Sequence, residues 1–526
     1  MQPAAMTLPR SFRYPVFFLF FMIVLLPVCY LFGSAFFAGS GNIVGRLHSV
    51  FESRQWTLIG NSLFIGIGTT CFCFITGVPY AFLCLRTHLK FRKLFIWIYI
   101  IPLLIPPYIH AIAWGHLAAF SETYLFFDIH GKLGVICVLT CSYFPFMVLT
   151  TISALKGIDR NMEEAALMNQ GKGYTLWKVT LPLAMPNMIS GAVLVFVFSI
   201  INVSVPDFFR VKVYPLEIFI QFSAFYDDLA AASLSLPMIG LAYVLIICRH
   251  AYLKDKSFVQ ISAGQNKHIR FELGKYRIPA LIFCIFSIGC SVILPVFVLL
   301  GVAGPFSTYI EAAVTSMHQI LYSLILACLG SALTMILGGL TAYIMVRTAD
   351  FVSNVLWFCV FLPLAVPATA FAIGLIGVWN RGVIDVVYSS SVIILFGYIA
   401  RFFPFAVIIF LSGLAQIGRN LEEAAVMAGA STMKVLGKIV FPLLKQYVAA
   451  VSFIIFILSF AELGTTLLII PPGRETIPIK IYNLMHYGAD QRVAALCVIL
   501  VGIILVTSAF FLLWYRKFAA TVQDVQ

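Results

Sequence analysis

Long apolar runs separated by short polar segments recur from one end of the chain to the other. A run of about 20 apolar residues is long enough to cross a bilayer as a helix. We find such runs at about 14–37, 58–85, 94–118, 133–155, 183–206, 233–252, 277–301, 320–347, 354–379, 389–414, 443–470 and 493–514. The pattern predicts an all-α polytopic membrane protein with about 12 transmembrane helices.

The second half of the chain repeats the first at an offset of about 260 residues. Recurring landmarks are Arg86-Thr87 as Arg347-Thr348, Pro102 and Pro106 as Pro363 and Pro367, and Phe144-Pro145-Phe146 as Phe403-Pro404-Phe405. Six spans is an even number, so both halves enter the membrane in the same orientation. We therefore predict two parallel six-helix repeats, 1–260 and 277–526, joined by a polar cytoplasmic linker at 261–276.

Two polar segments interrupt the apolar pattern before the fifth and eleventh spans. The predicted loops cover about 156–182 and 415–442. Each segment has an asparagine followed three residues later by a glutamate, the spacing of a helix N-cap and its N3 partner, namely Asn161 with Glu164 and Asn420 with Glu423. Alanines and then a glycine follow, and a proline occupies the first turn of the next span. Each loop is thus predicted to be a helix, a turn and a second helix.

These residues resemble the EAA loop of binding-protein-dependent ABC importer permeases, in which Glu-Ala-Ala precedes a glycine and a distant Leu-Pro. In that family the loop is the coupling helix that docks on a cytoplasmic ATPase. The resemblance implies that the coupling residues are Asn161, Glu163, Glu164, Ala165, Ala166, Gly171 and Pro182 in the first loop and Asn420, Glu422, Glu423, Ala424, Ala425, Gly429 and Pro442 in the second.

The first loop departs from this pattern at its glycine. Gln170 occupies the glycine position, and Gly171 comes one residue late. The interval from Glu164 to Pro182 is also one residue shorter than the interval from Glu423 to Pro442. Two interpretations remain open: tolerated drift, or unequal coupling of the two halves with Gly429 as the stricter hinge.

Composition and charge agree with a membrane protein. The 526 residues are 61% hydrophobic and 10% charged, with a net charge of +13. With the N-terminus inside, inner segments hold 24 of the 34 lysines and arginines and outer segments hold nine, a bias that places both termini and both polar loops in the cytoplasm. Nucleic-acid binding is not indicated. The 12 cysteines lie in or beside apolar runs and are interpreted as inert thiols.

Several kinds of catalytic chemistry are missing from the sequence. It contains no G-x-x-x-x-G-K-[ST] phosphate loop, no H-E-x-x-H and no G-x-S-x-G. We predict a permease that is not an enzyme and binds no cofactor, with ATP and magnesium held by a separate ABC ATPase dimer. A 12-span secondary transporter is the alternative, although it would leave the repeated loop without a purpose. A membrane-embedded enzyme would need a catalytic cluster that the sequence lacks.

The segment from Phe460 to Gly488 resembles the fused two-half permeases of the ferric-iron importer family, whose relatives handle thiamine, phosphonates and sulfate. The resemblance implies a bacterial inner-membrane permease that receives ferric iron from a periplasmic binding protein, which holds the ion itself. We accordingly predict no metal site in this chain.

The same resemblance suggests candidate pathway residues. They are Glu462 and Gly464 in the second half and Asn202 and Ser204 in the first, where Asn202 replaces the family's acid and Ser204 its glycine. A carboxylate inside a span costs about 2.5–3.5 kcal/mol, so Glu462 should face the bundle interior. It could be a structural hydrogen-bonding group or the wall of a cation pathway.

Overall fold

The structure is a computed structural model that describes residues 10–37, 52–124, 130–254, 269–348 and 350–523. Within these ranges it is helical, with no β-strand. The helices of the first half are α1 (Arg10–Phe20), α2 (Leu26–Phe37), α3 (Ser53–Arg86), α4 (Arg92–Ile98), α5 (Ile101–Leu104), α6 (Pro107–Tyr124), α7 (Lys132–Lys156), α8 (Arg160–Tyr174), α9 (Leu181–Ile200), α10 (Ser204–Phe208), α11 (Tyr214–Ser223) and α12 (Asp228–Lys254). Those of the second half are α13 (Arg277–Ile288), α14 (Leu294–Ala303), α15 (Phe306–Thr315), α16 (Met317–Arg347), α17 (Asp350–Ala365), α18 (Ala368–Trp379), α19 (Asp385–Tyr388), α20 (Val392–Leu414), α21 (Arg419–Met427), α22 (Thr432–Val435), α23 (Phe441–Phe460), α24 (Thr466–Ile469), α25 (Ile477–His486) and α26 (Asp490–Gln523).

Ten of the described helical segments are long and apolar enough to cross a membrane, and two bent helix pairs raise the count to 12. The predicted all-α polytopic fold is therefore confirmed. The bent pairs fall on the third and ninth predicted spans: Arg92–Leu104 with Pro107–Ala119 bends by 93°, and Ser353–Ala365 with Ala368–Trp379 bends by 109°. Pro106 and Pro367 lie at the two breaks. Proline lacks an N–H and clashes with the preceding turn, which explains breaks at matched positions.

Four other prolines lie in the first turn after a π-helical turn. The π turns are Phe21–Leu25, Thr175–Thr180, Gly289–Ile293 and Leu436–Val440, and Pro27, Pro182, Pro295 and Pro442 each follow two residues later. A π turn is wider than an α turn, so the chain can pass the proline ring without ending the helix. Pro182 and Pro442 therefore lie within continuous helices that run from the polar loops into the membrane spans.

The chain forms two compact units. The first-loop unit comprises Phe51–Glu217 and Gly240–Gly304, and the second-loop unit comprises Met1–Val50, Ile218–Ile239 and Pro305–Gln526. Each unit thus contains one polar loop. The first-loop unit also contains α13–α14, the first span of the second half of the sequence, and the second-loop unit contains α1–α2, the first span of the first half. The sequence repeat and the compact units consequently have different boundaries.

In the first-loop unit, α3, α7 and α9 pack against one another, and α14 packs against α6. Helix α3 approaches α7 closely at Gly77, where an added Cβ would lie 2.7 Å from the Cβ of Met147. In the second-loop unit, α16, α20 and α23 form the equivalent group, and α2 packs against α18. Here the close approach is at Gly338, whose added Cβ would lie 2.7 Å from the Cβ of Ala406. The repeat therefore extends to the packing of the helices.

Candidate functional site

The helix of the first polar loop begins two residues earlier than its sequence pattern suggested. The N-cap of α8 is Asp159, whose Oδ1 accepts a hydrogen bond of 2.9 Å from the backbone N–H of Asn161. Asn161 lies inside the first turn, so its predicted capping role is wrong. Glu164 forms an i,i+4 ion pair with Arg160 at 2.5 Å. An aspartate just outside the pattern competes better for the cap, because its charged oxygen faces the free N–H groups of the helix.

The second polar loop shows the same displacement. The N-cap of α21 is Gly418, which has no side chain to cap the helix. Asn420 and Glu423 lie within the helix and are exposed, so the predicted capping pair is wrong here too. The exposed Glu423 leaves its carboxylate available to a partner.

Both loops turn at a glycine with a positive φ. Gly171 has φ 78° and ψ −179°, and Gly429 has φ 82°. Apart from the adjoining backbone, no atom of the described residues lies within 4 Å of a Cβ added at either position, so backbone conformation, and not space, favours glycine. In the second loop, Ala430 and Ser431 separate Gly429 from α22, whereas in the first loop the helix resumes directly after Gly171. The predicted shift of the first turn is present in the structure.

One glutamate of the first loop is buried and paired. Glu163 is 1% exposed, and its Oε2 lies 2.7 Å from Nη1 of the buried Arg86 at the end of α3. Arg86 Nη2 also donates to the Leu155 carbonyl at 2.6 Å, and the hydroxyl of Thr180 donates to Glu163 Oε1 at 2.8 Å. We call this group of contacts among Arg86, Leu155, Glu163 and Thr180 the first clamp. It joins α3, α7, α8 and the π turn that leads into α9.

The second loop has a corresponding clamp. Glu422 is 1% exposed, and Arg347 at the end of α16 contacts its carboxylate through Nη2 and through Nε, the latter at 3.1 and 3.3 Å. Tyr343, one turn earlier on α16, donates its hydroxyl to Glu422 Oε2 at 2.9 Å. This second clamp joins α16 and α21. The arginine and glutamate of each clamp occupy matched positions of the repeat.

The opposite face of each loop helix exposes apolar side chains. Met168 on α8 and Met427 on α21 are 89% and 88% exposed, and Met162 and Leu421 are more than half exposed. The two pairs occupy the same register of the repeat. Two methionines presented in this way are typical of a surface that a partner protein covers.

In the second-loop unit, Glu462 lies in a break between α23 and α24. It is 8% exposed, and its carboxylate accepts backbone hydrogen bonds from Thr465 at 2.6 Å and Thr466 at 3.0 Å. Glu462 is thus an acceptor for the start of the short α24. A Cβ added at Gly464 would lie 2.7 Å from the Cβ of Ala368, so this glycine allows the loop to contact the start of α18.

Polar groups collect around this break. On α20, Arg401 donates to the Val366 carbonyl at 2.9 Å, where the α17–α18 pair bends. The buried hydroxyls of Thr369, Ser459 and Thr465 have no hydrogen-bond partner among the described residues. Buried hydroxyls without partners are costly, so the break is suited to water or a polar ligand.

The first-loop unit has the equivalent break, with a neutral acceptor in place of Glu462. Asn202 follows α9, and its Oδ1 accepts a 3.0 Å bond from the backbone N–H of Val205. Its Nδ2 donates to the Tyr143 hydroxyl at 3.2 Å. Ser204 begins α10 and is half-buried. Asn202 therefore does for α10 what Glu462 does for α24, although with a neutral side chain.

Comparison with known proteins identifies the family. The family model described as "Binding-protein-dependent transport system inner membrane component" matches residues 73–253 and 334–522, more than half of the chain. The chain belongs to this family. It is a multi-pass inner-membrane permease subunit of an ABC importer, and each matched segment contains one polar loop, its clamp and its broken span.

Three relatives show how far the similarity extends. The permease is 24% identical over 501 residues to the Fe(3+)-transport system permease protein FbpB 2 of Haemophilus influenzae, covering 92% of this chain and 95% of the relative. It is 23% identical over 536 residues to the ferric transport system permease protein FbpB of Actinobacillus pleuropneumoniae, covering 94% and 77%. It is also 30% identical over 160 residues to the putative 2-aminoethylphosphonate transport system permease protein PhnV of Salmonella typhimurium, covering 30% and 58%.

The remaining coupling candidates of the permease lie where the two loop helices expose them. Ala165 and Ala424 are exposed, and Ala166 and Ala425 are half-buried. These small side chains keep the helix thin beside the methionines. The coupling role of the 14 predicted loop residues stays a prediction, as does the pathway role of Asn202, Ser204, Glu462 and Gly464.

Sequence reasoning missed Arg86 and Arg347 as site residues. The sequence pattern identifies both only as landmarks of the repeat and as charges on the inner side. Their signal was present in the sequence, because each arginine recurs at a matched position together with a glutamate, 163 or 422, at a similar separation. An arginine and a glutamate conserved between two internal copies deserve to be tested as a pair.

Proposed function

We propose that this permease imports ferric iron delivered by a periplasmic binding protein, with a cytoplasmic ABC ATPase dimer supplying the energy. Closure of the ATPases would move the two loop helices, and the clamps would transmit that movement to α3 and α16. The broken spans would then alternate between an outward- and an inward-facing state. Both termini and both loops are on the cytoplasmic side in this proposal, in agreement with the charge bias of the sequence.

The observation that carries the coupling proposal is the matched pair of exposed methionines. Met168 and Met427 project from helices whose opposite faces are anchored by the buried glutamates 163 and 422. A rigidly held helix with an exposed apolar tip can dock in a groove of a partner. Two equivalent tips suit the two equivalent subunits of an ATPase dimer.

Photo-crosslinking tests this arrangement. Benzoylphenylalanine placed at Met168 or Met427 should crosslink to the ATPase in membranes that contain all partners. Val383 is the control, because it is 96% exposed in a segment that the charge pattern places outside. Crosslinking to the ATPase from position 383, or from neither loop, would overturn the proposed orientation or docking.

Iron is favoured over the other substrates because both near-full-length relatives described above are named for ferric transport, whereas the phosphonate-named relative is matched over 160 residues. Uptake of radiolabelled ferric iron should therefore exceed uptake of thiamine, phosphonates or sulfate in membranes that contain the complete transporter. Preferential uptake of another of these substrates would refute iron without affecting the coupling proposal.

If the permease transports ferric iron, the negative charge of Glu462 should contribute to the transport of this cation. The change Glu462→Gln keeps the size of the side chain and one acceptor for the start of α24, while it removes the charge. We expect the variant to insert normally and to transport iron more slowly. Iron transport at the wild-type rate over a range of concentrations would show that the charge only stabilises the break.

A further inference from the structure

A long apolar groove opens between α23 and α26 in the second-loop unit. Its volume is about 640 Å³, and its lining includes Phe441, Phe456 and Phe510. The two helices meet along its floor, where the rings of Phe453 and Phe511 stack with centroids 4.2 Å apart. Phe456 lies 15 residues after Phe441, a rise of about 22 Å along the helix. One leaflet of the hydrocarbon core is only about 15 Å deep.

The groove has one polar end. Lys445 lines it one turn after Phe441, and Trp514 of α26 lines the same region. Lys438 lies three residues before Phe441 and is exposed. This end adjoins the second polar loop, so a cationic end leads into an aromatic slot that runs into the membrane span. An interfacial tryptophan and lysines at the end of an apolar slot match the headgroup region of a bilayer.

The first half lacks this arrangement of charge. Met185 stands at the position of Lys445, whereas Lys178 stands at the position of Lys438. The repeat therefore retains the lysine outside the span and differs at the lysine inside the groove. Of the two lysines at this end, Lys445 is therefore the one without a counterpart in the first half.

We propose that this groove binds an anionic phospholipid, with an acyl chain against Phe441, Phe456 and Phe510 and the phosphate beside Lys445. Complementary charge selects the headgroup, and the length and apolar lining of the groove accommodate the chain. The site does not depend on which substrate the permease transports. It would make the second polar loop, which leads directly into α23, sensitive to the composition of the surrounding membrane.

Fluorescence quenching of Trp514 tests the proposal in the full-length permease. The protein is reconstituted in phosphatidylcholine vesicles that contain increasing fractions of brominated phosphatidylglycerol or brominated phosphatidylcholine. Subtracting the signal of Trp514→Phe isolates the emission of this tryptophan. We expect the anionic lipid to quench at about fivefold lower mole fraction, the selectivity that one lysine near an anionic surface supplies.

Matched variants locate the selectivity. Lys445→Met introduces the residue found in the first half and should abolish the preference, whereas Lys445→Arg should retain it. Lys178→Met makes the same change outside the groove and should leave the preference intact. Thermal unfolding in detergent checks that each variant is folded.

Three results would overturn the proposal. The first is equal quenching by the two lipids in the wild-type protein, and the second is a preference that survives Lys445→Met or is lost equally in Lys178→Met. The third is an absence of Trp514 quenching by any lipid, which would mean that another segment or a second copy fills the groove.

Discussion

The two polar loops contain equivalent buried Arg–Glu ion pairs. They differ in the additional hydrogen bond to the glutamate, which comes from the segment after the loop in one case and from the arginine's own helix in the other. In the first loop the additional donor to the glutamate is Thr180, in the π turn that leads into α9. In the second it is Tyr343, on the helix that carries the arginine. The repeat shows why neither loop has both donors: Phe82 stands at the position of Tyr343, and Val440 stands at the position of Thr180.

Because of this difference, the two loop helices are connected to different neighbouring helices. The first clamp connects α8 to the helix before the loop and to the helix after it. The described contacts of the second clamp connect α21 only to α16, and Ala430 and Ser431 add a longer turn before α22. Duplicated loops can thus retain their anchoring charges while they diverge in mechanical connection, and we infer that the first loop is the more rigid of the two.

The largest effect should come from breaking an ion pair. Arg347→Met leaves the Glu422 carboxylate buried without its cation, which costs about 3–5 kcal/mol. Arg86→Met should be at least as severe, because Arg86 also donates to the Leu155 carbonyl. Thermal unfolding of the purified permease and its level in membranes measure the loss.

The double variant Arg347→Met/Glu422→Leu is the control. Replacing both members of a buried pair by apolar groups is often nearly neutral, so most of the lost stability should return. Single variants as stable as the wild type would show that the pair is not buried as described.

The sequence predicted the spans, the repeat and the polar loops, because each depends on local hydropathy or short motifs. It could not predict the clamps, since Arg86 and Glu163 are brought together only by the packing of α3 against α7. It also misplaced both N-caps, because Asp159 and Gly418 lie just outside the shared motif. For Glu462, burial was predicted correctly from the cost of a charge in a span. Its acceptor role at α24 depends on a break that hydropathy did not reveal.

An intermediate effect should come from removing the additional hydroxyl donor to the glutamate of each clamp. Thr180→Val and Tyr343→Phe each remove a hydrogen bond to a charged group, worth about 1.5–3 kcal/mol. We expect Thr180→Val to reduce uptake more than Tyr343→Phe at equal membrane levels, because only Thr180 links its loop helix to the following span. Uptake per inserted molecule measures the difference.

The matched control for these donor variants is Ser412→Ala, which removes an exposed hydroxyl that bonds only to its own helix. It should change neither stability nor uptake. If Tyr343→Phe proved the more harmful to uptake, the second loop and not the first would be the tighter connection.

The smallest effects on uptake should come from substitutions at the two turn glycines, and they should differ between Gly429 and Gly171. Gly429 closes α21 with bonds from its own N–H to the Val426 carbonyl and from the Ala430 N–H to the Ala425 carbonyl, the hydrogen-bond pattern of a Schellman motif. Asparagine tolerates the left-handed conformation used there, so Gly429→Asn should retain nearly full uptake.

Gly171 is more restricted, because its φ of 78° and ψ of −179° fall in a region that is essentially limited to glycine and costs other residues about 1–3 kcal/mol. Gly171→Asn should therefore reduce uptake at equal membrane levels, although no neighbouring atom obstructs the new side chain. Gly429→Asp adds a charge to a backbone position that accepts asparagine. If Gly429→Asp abolishes uptake while Gly429→Asn does not, the loss arises from repulsion at the docking surface. Equal tolerance of asparagine at both glycines would show that the first turn is not held in this conformation during transport, and the inference that the first loop is more rigid would fail.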